Sequence, residues 1–181
     1  MSSFARDNAW QRELRDTLLV PWYRRVAKDG RFVLNDKGRC ALLVQKRMAV
    51  DTILQGKEGR AVYIEEKFTR KPRDGRRDLT NLFLEVDSCT VPGYESPGWM
   101  VYADSDYLLY CFHRLSGSLE CFLVDFPELK SWFWPVAKKY REYTMPDTSN
   151  HTRGRLVPIA VVRANVKTTR FVLGDKQRAV A

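Results

Sequence analysis

The sequence holds no apolar run of the roughly 20 residues needed to cross a bilayer, and residues 1–7 carry no hydrophobic core of a secretory leader. The expectation is a soluble, cytoplasmic protein. Histidine is scarce, at two in 181 residues, and His151 lies in a polar loop, so chemistry built on an imidazole base has little to draw on. The four cysteines, Cys40, Cys89, Cys111 and Cys121, form no CxxC pair, which speaks against a disulfide framework. Cys111, His113 and Cys121 fall on neighbouring apolar runs, but their spacing fits no tight structural zinc pattern, and such thiols are readily buried. Acid is also short: 22 Asp and Glu face 31 Lys and Arg, a formal charge of +9 that favours polyanionic partners.

What is present suits a single domain over residues 1–181, with 44% hydrophobic and 12% aromatic residues to build one core. No repeat, heptad or low-complexity tract interrupts it. Residues 5–25 have helical spacing through Trp10, Leu14, Leu18 and Tyr23, with Pro21 expected to end or kink the helix. Residues 30–38 read as a strand and turn, and residues 40–45 as either a strand or a packing helix. Strand-like runs follow at 82–87, within 98–112, and at 119–126. A helix after Pro127 carries Trp132, Phe133 and Trp134 to cover the sheet. Residues 145–155 read as a loop and 156–162 as a strand, which Pro158 places at a sheet edge. Residues 167–181 form a basic tail that either frays or adds a backbone contact. The class is α/β (α+β), a central mixed sheet flanked by helices.

The chemistry concentrates in two runs, residues 49–55 with Asp51 and residues 61–68 with Glu65, Glu66 and Lys67. The turn sequence of residues 56–59 joins them as a hairpin. If Gln55 faces Arg60, Asp51 lies opposite Ile64 and beside Glu65. Residues i and i+2 of a strand share a face, so Glu65 and Lys67 emerge together where Asp51 can reach them. Adjacent carboxylates repel, and a divalent cation or an ammonium relieves them.

An acid in one strand, a hairpin, and a Glu-x-Lys triplet in the next resemble the signature of the PD-(D/E)xK nuclease superfamily. Asp51, Glu65 and Lys67 match it, while Val50 stands where the name-giving proline would be and Glu66 fills the variable position. The later succession, a Gly98-Trp99 segment leading to an aspartate-tyrosine strand, another strand and a helix, is similar to small phage-type and restriction-like members. The resemblance implies a restriction-endonuclease-like core and metal-dependent DNA endonuclease activity. Asp51 and Glu65, with Glu66 contributing its carbonyl, would hold Mg²⁺ or Mn²⁺, and Lys67 would orient the attacking water or stabilise charge in the transition state.

Two further acids join the metal-site candidates. Glu13 is one by analogy with N-terminal helices of that superfamily, against the reading of a surface acid paired with Arg6, Arg12 or Arg15. Glu85, amid apolar neighbours, is either a metal-site acid or a salt-bridge partner. From Lys67 to Arg77, six basic residues face one acid, Asp74, and Pro72 and Gly75 break regular structure. Arg70, Lys71, Arg73, Arg76 and Arg77 are therefore candidates for nucleic-acid backbone contact. The partner implied is DNA, a homodimer being compatible. The alternative is an inactive nuclease-fold protein that binds nucleic acid or a protein partner, such as a phage-encoded inhibitor.

Overall fold

Alternation along one buried strand sets the layering. In the computed structural model, which describes residues 3–27, 31–34, 48–69, 78–146 and 149–174, Leu108, Tyr110 and Phe112 face one side of a sheet while Leu109 and Cys111 face the other. Both sides must therefore be covered. The first half of the chain runs α1 (Ser3–Leu14), a π-helical turn (Arg15–Leu19), α2 (Val20–Ala27), β1 (Arg31–Leu34), β2 (Thr52–Gln55), β3 (Ala61–Thr69), β4 (Asn81–Cys89) and β5 (Ser96–Pro97). Then come α3 (Trp99–Tyr102), β6 (Tyr107–His113), β7 (Leu119–Asp125), α4 (Phe126–Val136), β8 (Arg141–Thr144), β9 (Arg153–Pro158), α5 (Ile159–Asn165) and β10 (Thr168–Leu173).

The six-stranded sheet has the order β1-β2-β3-β6-β7-β10, and β3 runs parallel to β6 while every other neighbour is antiparallel. One face packs Ile64, Leu109, Cys111 and Cys121 under Leu14, Leu19 and Tyr23 of the N-terminal helical segment. The opposite face packs Leu108, Tyr110, Phe122 and Val124 against α3, α4, α5 and a second, antiparallel sheet of order β5-β4-β9-β8. Each fully buried Leu, Phe or Met there contributes about 1.5–3 kcal/mol. Within the second sheet β9 lies close against β4 because Gly154 lets it: a Cβ there would stand 2.5 Å from the Leu84 carbonyl oxygen and 2.7 Å from the Phe83 ring. Among the described residues no helix is long and apolar enough to cross a membrane.

Several sequence expectations change. The N-terminal helix does not end at Pro21; it widens into the π turn just before it, because Pro21 has no N–H to offer the carbonyl four residues back, and then continues to Ala27. Residues 159–162 are helical rather than strand: Pro158 caps the helix start in an extended conformation, and Ile159 and Val162, three apart, bury on one side. Pro158 is not on an edge strand, since β9 lies between β4 and β8, but it is the last residue of β9, beyond the reach of β8. Residues 141–144, not foreseen, form that edge. Thr168–Leu173 of the supposed fraying tail pairs along β7 as the outermost strand. Of the aromatic triplet, Phe133 is buried and Trp132 packs against the core, but Trp134 is 41% exposed. Residues 40–45 lie outside the described residues.

Candidate active site

The hairpin pairs Gln55 with Ala61 and Thr52 with Ile64, one residue away from the expected register. The connection spans five residues, closed by Gly56 and Arg60 and turned at Gly59 with φ +81°. That single step matters, because a one-residue slip exchanges the two faces of a strand. In the expected pairing Asp51 would share the face of Ile64; continued by one position, the observed pairing sets Asp51 level with Glu65. Asp51 itself precedes β2 in a bend. The chain enters that bend through Ala49, buried and left-handed at φ +49°, a conformation that costs a non-glycine residue about 1 kcal/mol or more. The Ala49 carbonyl accepts from the Ser105 hydroxyl at 3.2 Å, and the Met48 carbonyl from the Asp104 N–H at 2.9 Å. The loop before β6 thus holds the segment that aims Asp51.

Asp51 accepts a hydrogen bond from the Glu66 N–H at 2.8 Å through Oδ2, and its Oδ1 lies 3.8 Å from Nη2 of Arg15. Its carboxylate also meets that of Glu65, which is only 3% exposed. Burial first, and then Asp51, hold the Glu65 carboxyl well above the usual carboxylate range against the opposing pull of Lys67. Lys67 forms an ion pair with Glu65. Burial disfavours its charge, but Glu65, Asp51 and Glu85 together raise its pKa above the ordinary lysine value, so it stays an ammonium. Its Nζ lies 5.3 Å from the ring centroid of Trp99. Two carboxylates and one ammonium thus meet at one place, with the Glu65 carboxyl buried among them.

Glu66 points to the opposite face. Its carboxylate accepts from Tyr23 Oη at 2.7 Å, Thr52 Oγ1 at 2.6 Å and Arg15 Nε at 2.8 Å. Its side chain is therefore committed beneath the helices and does not join Asp51 and Glu65 at the front of the sheet, which leaves its backbone carbonyl as the group it could offer a metal. Arg15 keeps its charge because Glu66 and Asp51 outweigh the opposing effect of burial. Arg15, Tyr23 and Thr52 were not foreseen in these roles. The available signal was Glu66 itself, an acid in the middle of a buried strand that needs partners. Glu13 is exposed on α1, and it is Arg15 that the π turn directs to the hairpin. Glu85 sits half-buried on β4, accepts from the Ser88 hydroxyl, and acts electrostatically on Lys67 and Tyr102 without joining the two carboxylates. Arg70, Lys71, Arg73, Arg76 and Arg77 lie outside the described residues. Elsewhere, Cys111 and Cys121 face each other on paired strands with sulfurs 3.4 Å apart, while His113 stacks on Trp10.

Among the described residues no three acids, histidines or cysteines converge as a ready metal cage. The donor set at Asp51 and Glu65 is nonetheless that of a hard oxygen-ligand cation, with the Lys67 ammonium supplying compensating charge in its place. A pH dependence follows. Glu65 has a raised pKa in the fold, so its share of stability is present below the ordinary carboxylate range and is lost as pH rises through the raised value. Without divalent cation, the wild type should lose melting temperature relative to Glu65→Gln as pH increases across that window, and Mn²⁺ should restore more at higher pH. A difference between the two proteins that does not change with pH would show that Glu65 titrates normally.

Comparison with family models, curated proteins and solved structures finds no match to this chain.

Proposed function

We propose that the protein is a metal-dependent endonuclease that hydrolyses DNA phosphodiester bonds, and that its six-stranded sheet is a variant of the restriction-endonuclease-like core. The observation that carries this reading is the meeting of Asp51, Glu65 and Lys67 on one face of a hairpin, the arrangement to which the sequence motif corresponds. A bound Mg²⁺ or Mn²⁺ would supply positive charge against the scissile phosphate and acidify water there. Asp51 and Glu65 are the residues that would hold it. Asp51 is pre-set for this by the Glu66 N–H and Arg15, while Glu65 would exchange Lys67 for the metal. Lys67, held protonated, serves as a fixed charge facing the phosphate rather than as a base.

The test is incubation of the purified protein with supercoiled, linear and branched DNA in Mg²⁺ or Mn²⁺ and in chelator. Products that appear only with the metal support the proposal. Salt-sensitive binding without products would assign the chain to the binding proteins, and a stable protein complex without DNA affinity to the interaction factors. In the same material, neutralising Arg70, Lys71, Arg73, Arg76 and Arg77 should lower the slope of log affinity against log salt by about 0.9 for each phosphate no longer neutralised. Manganese binding, read by calorimetry, should not change. A slope equal to that of the wild type would move the backbone-binding face elsewhere.

A further inference from the structure

Beside Lys67 lies a cavity of about 620 Å³, within the range of about 300–1,000 Å³ in which small-molecule ligands are usually held. We propose that it receives one unpaired nucleobase of the strand whose backbone meets Asp51 and Glu65; this rests on the nuclease reading above and narrows its substrate to nucleic acid with an extruded or single-stranded nucleotide. Lys67 belongs both to the cavity wall and to the acid cluster, and Glu85 in the same wall acts electrostatically on it, so an occupant is within one nucleotide of the proposed chemistry.

The wall has the composition that a base needs. Phe83 from β4 and Tyr143 from β8, both half-buried, supply aromatic surface over the buried Trp99 and Tyr110, and Asn81, exposed at the start of β4, supplies an amide able to donate to and accept from a base edge. The wall is also fixed before anything binds. The Phe83 N–H donates to Tyr110 Oη at 2.8 Å, tying the second sheet to the first, and the Phe83 ring meets Tyr143 edge-on with centroids 6.2 Å apart. A duplex is far too wide for such a space, so a base enters only out of the stack.

The experiment uses the full chain in chelator, so that cleavage plays no part, and compares fully paired duplexes with duplexes carrying a single bulged nucleotide or an abasic bulge. DNA and RNA forms run in parallel, since both carry the same phosphates and nearly the same base edges. Fluorescence anisotropy should show the bulged form binding about tenfold more tightly than the paired form, with the abasic bulge returning to the paired value. Phe83→Ala and Asn81→Ala should abolish the preference while leaving paired-duplex affinity unchanged. Asn81 is exposed, so its variant reports even if Phe83→Ala folds poorly. Equal affinity for all three forms, or an undiminished preference in Asn81→Ala and folded Phe83→Ala, overturns the cavity assignment and leaves the nuclease reading intact. A bulge preference that depends on Phe83 and Asn81 in a protein that never cleaves supports the cavity and overturns the nuclease reading. No nucleic-acid binding at all overturns both.

Discussion

Asp51→Ala, Glu65→Ala and Lys67→Ala should each lower Mg²⁺- or Mn²⁺-dependent cleavage by at least about 10²–10³-fold, the usual cost of removing one preorganised charge-stabilising group. The fold and most DNA affinity should remain, because phosphate contacts made elsewhere are untouched. Each variant leaves its neighbours a tolerable arrangement. Without Lys67, the Glu65 carboxyl loses the charge that opposes burial and Asp51, so its pKa rises further. Without Glu65, Lys67 keeps Asp51 and Glu85 as counter-charges. Without Asp51, the Glu66 N–H loses its acceptor and Arg15 keeps its closer partner, Glu66. Losses in double variants should be far from additive, since the three act as a unit. Cleavage at the wild-type rate by all three would place the chemistry elsewhere.

Glu66→Ala should be the most destabilising single change in the hairpin, at about 3–5 kcal/mol, against a typical total of about 5–15 kcal/mol. The reason is the cation left behind. Arg15 has a side chain only 13% exposed, and without Glu66 it retains Asp51 at 3.8 Å as its remaining ion-pair partner among the described residues. Tyr23 and Thr52, buried with it, lose their acceptor as well. For a chain of this length the melting temperature should fall by roughly 10 °C or more. Tyr23→Phe, which removes one hydrogen bond to a charged group, should cost about 1.5–3 kcal/mol. The neighbouring Glu65→Gln should do the reverse in metal-free protein above the ordinary carboxylate range, because it removes a charge that burial disfavours. Chemical denaturation of the two glutamate variants side by side measures the contrast. A Glu66→Ala protein close to wild type in stability would mean that water replaces the carboxylate.

The motif residues were legible because they are local. Period-two alternation alone separates Glu65 and Lys67 from Glu66, and a glycine-bounded turn between two β-rich runs announces a hairpin. Burial of the strands at residues 82–87, 107–112 and 119–125 was equally plain, since their apolar side chains have no other stable place. The register was not legible. A four- or five-residue loop satisfies the same turn sequence, and only packing on both faces, with Ile64 beneath the helices and Glu65 toward Trp99, selects the pairing that brings Asp51 level with Glu65.

Long-range partners were out of reach for the same reason. Arg15 lies 51 positions from Glu66, and nothing in its own helix distinguishes it from Arg12, which stays exposed. The helical run at residues 159–162 shows how context overrides local preference: a β-branched stretch that suits a strand becomes a helix when a proline caps it and Ile159 and Val162 can reach one core. By itself, then, the sequence determined which residues carry charge and chemistry and which strands must be buried, because composition and alternation act over a few residues. The tertiary structure alone decided the register that sets Asp51 level with Glu65, the partners Arg15 and Tyr23 that lock Glu66, and that a cavity opens beside the site, because each depends on surfaces that meet only when distant segments pack.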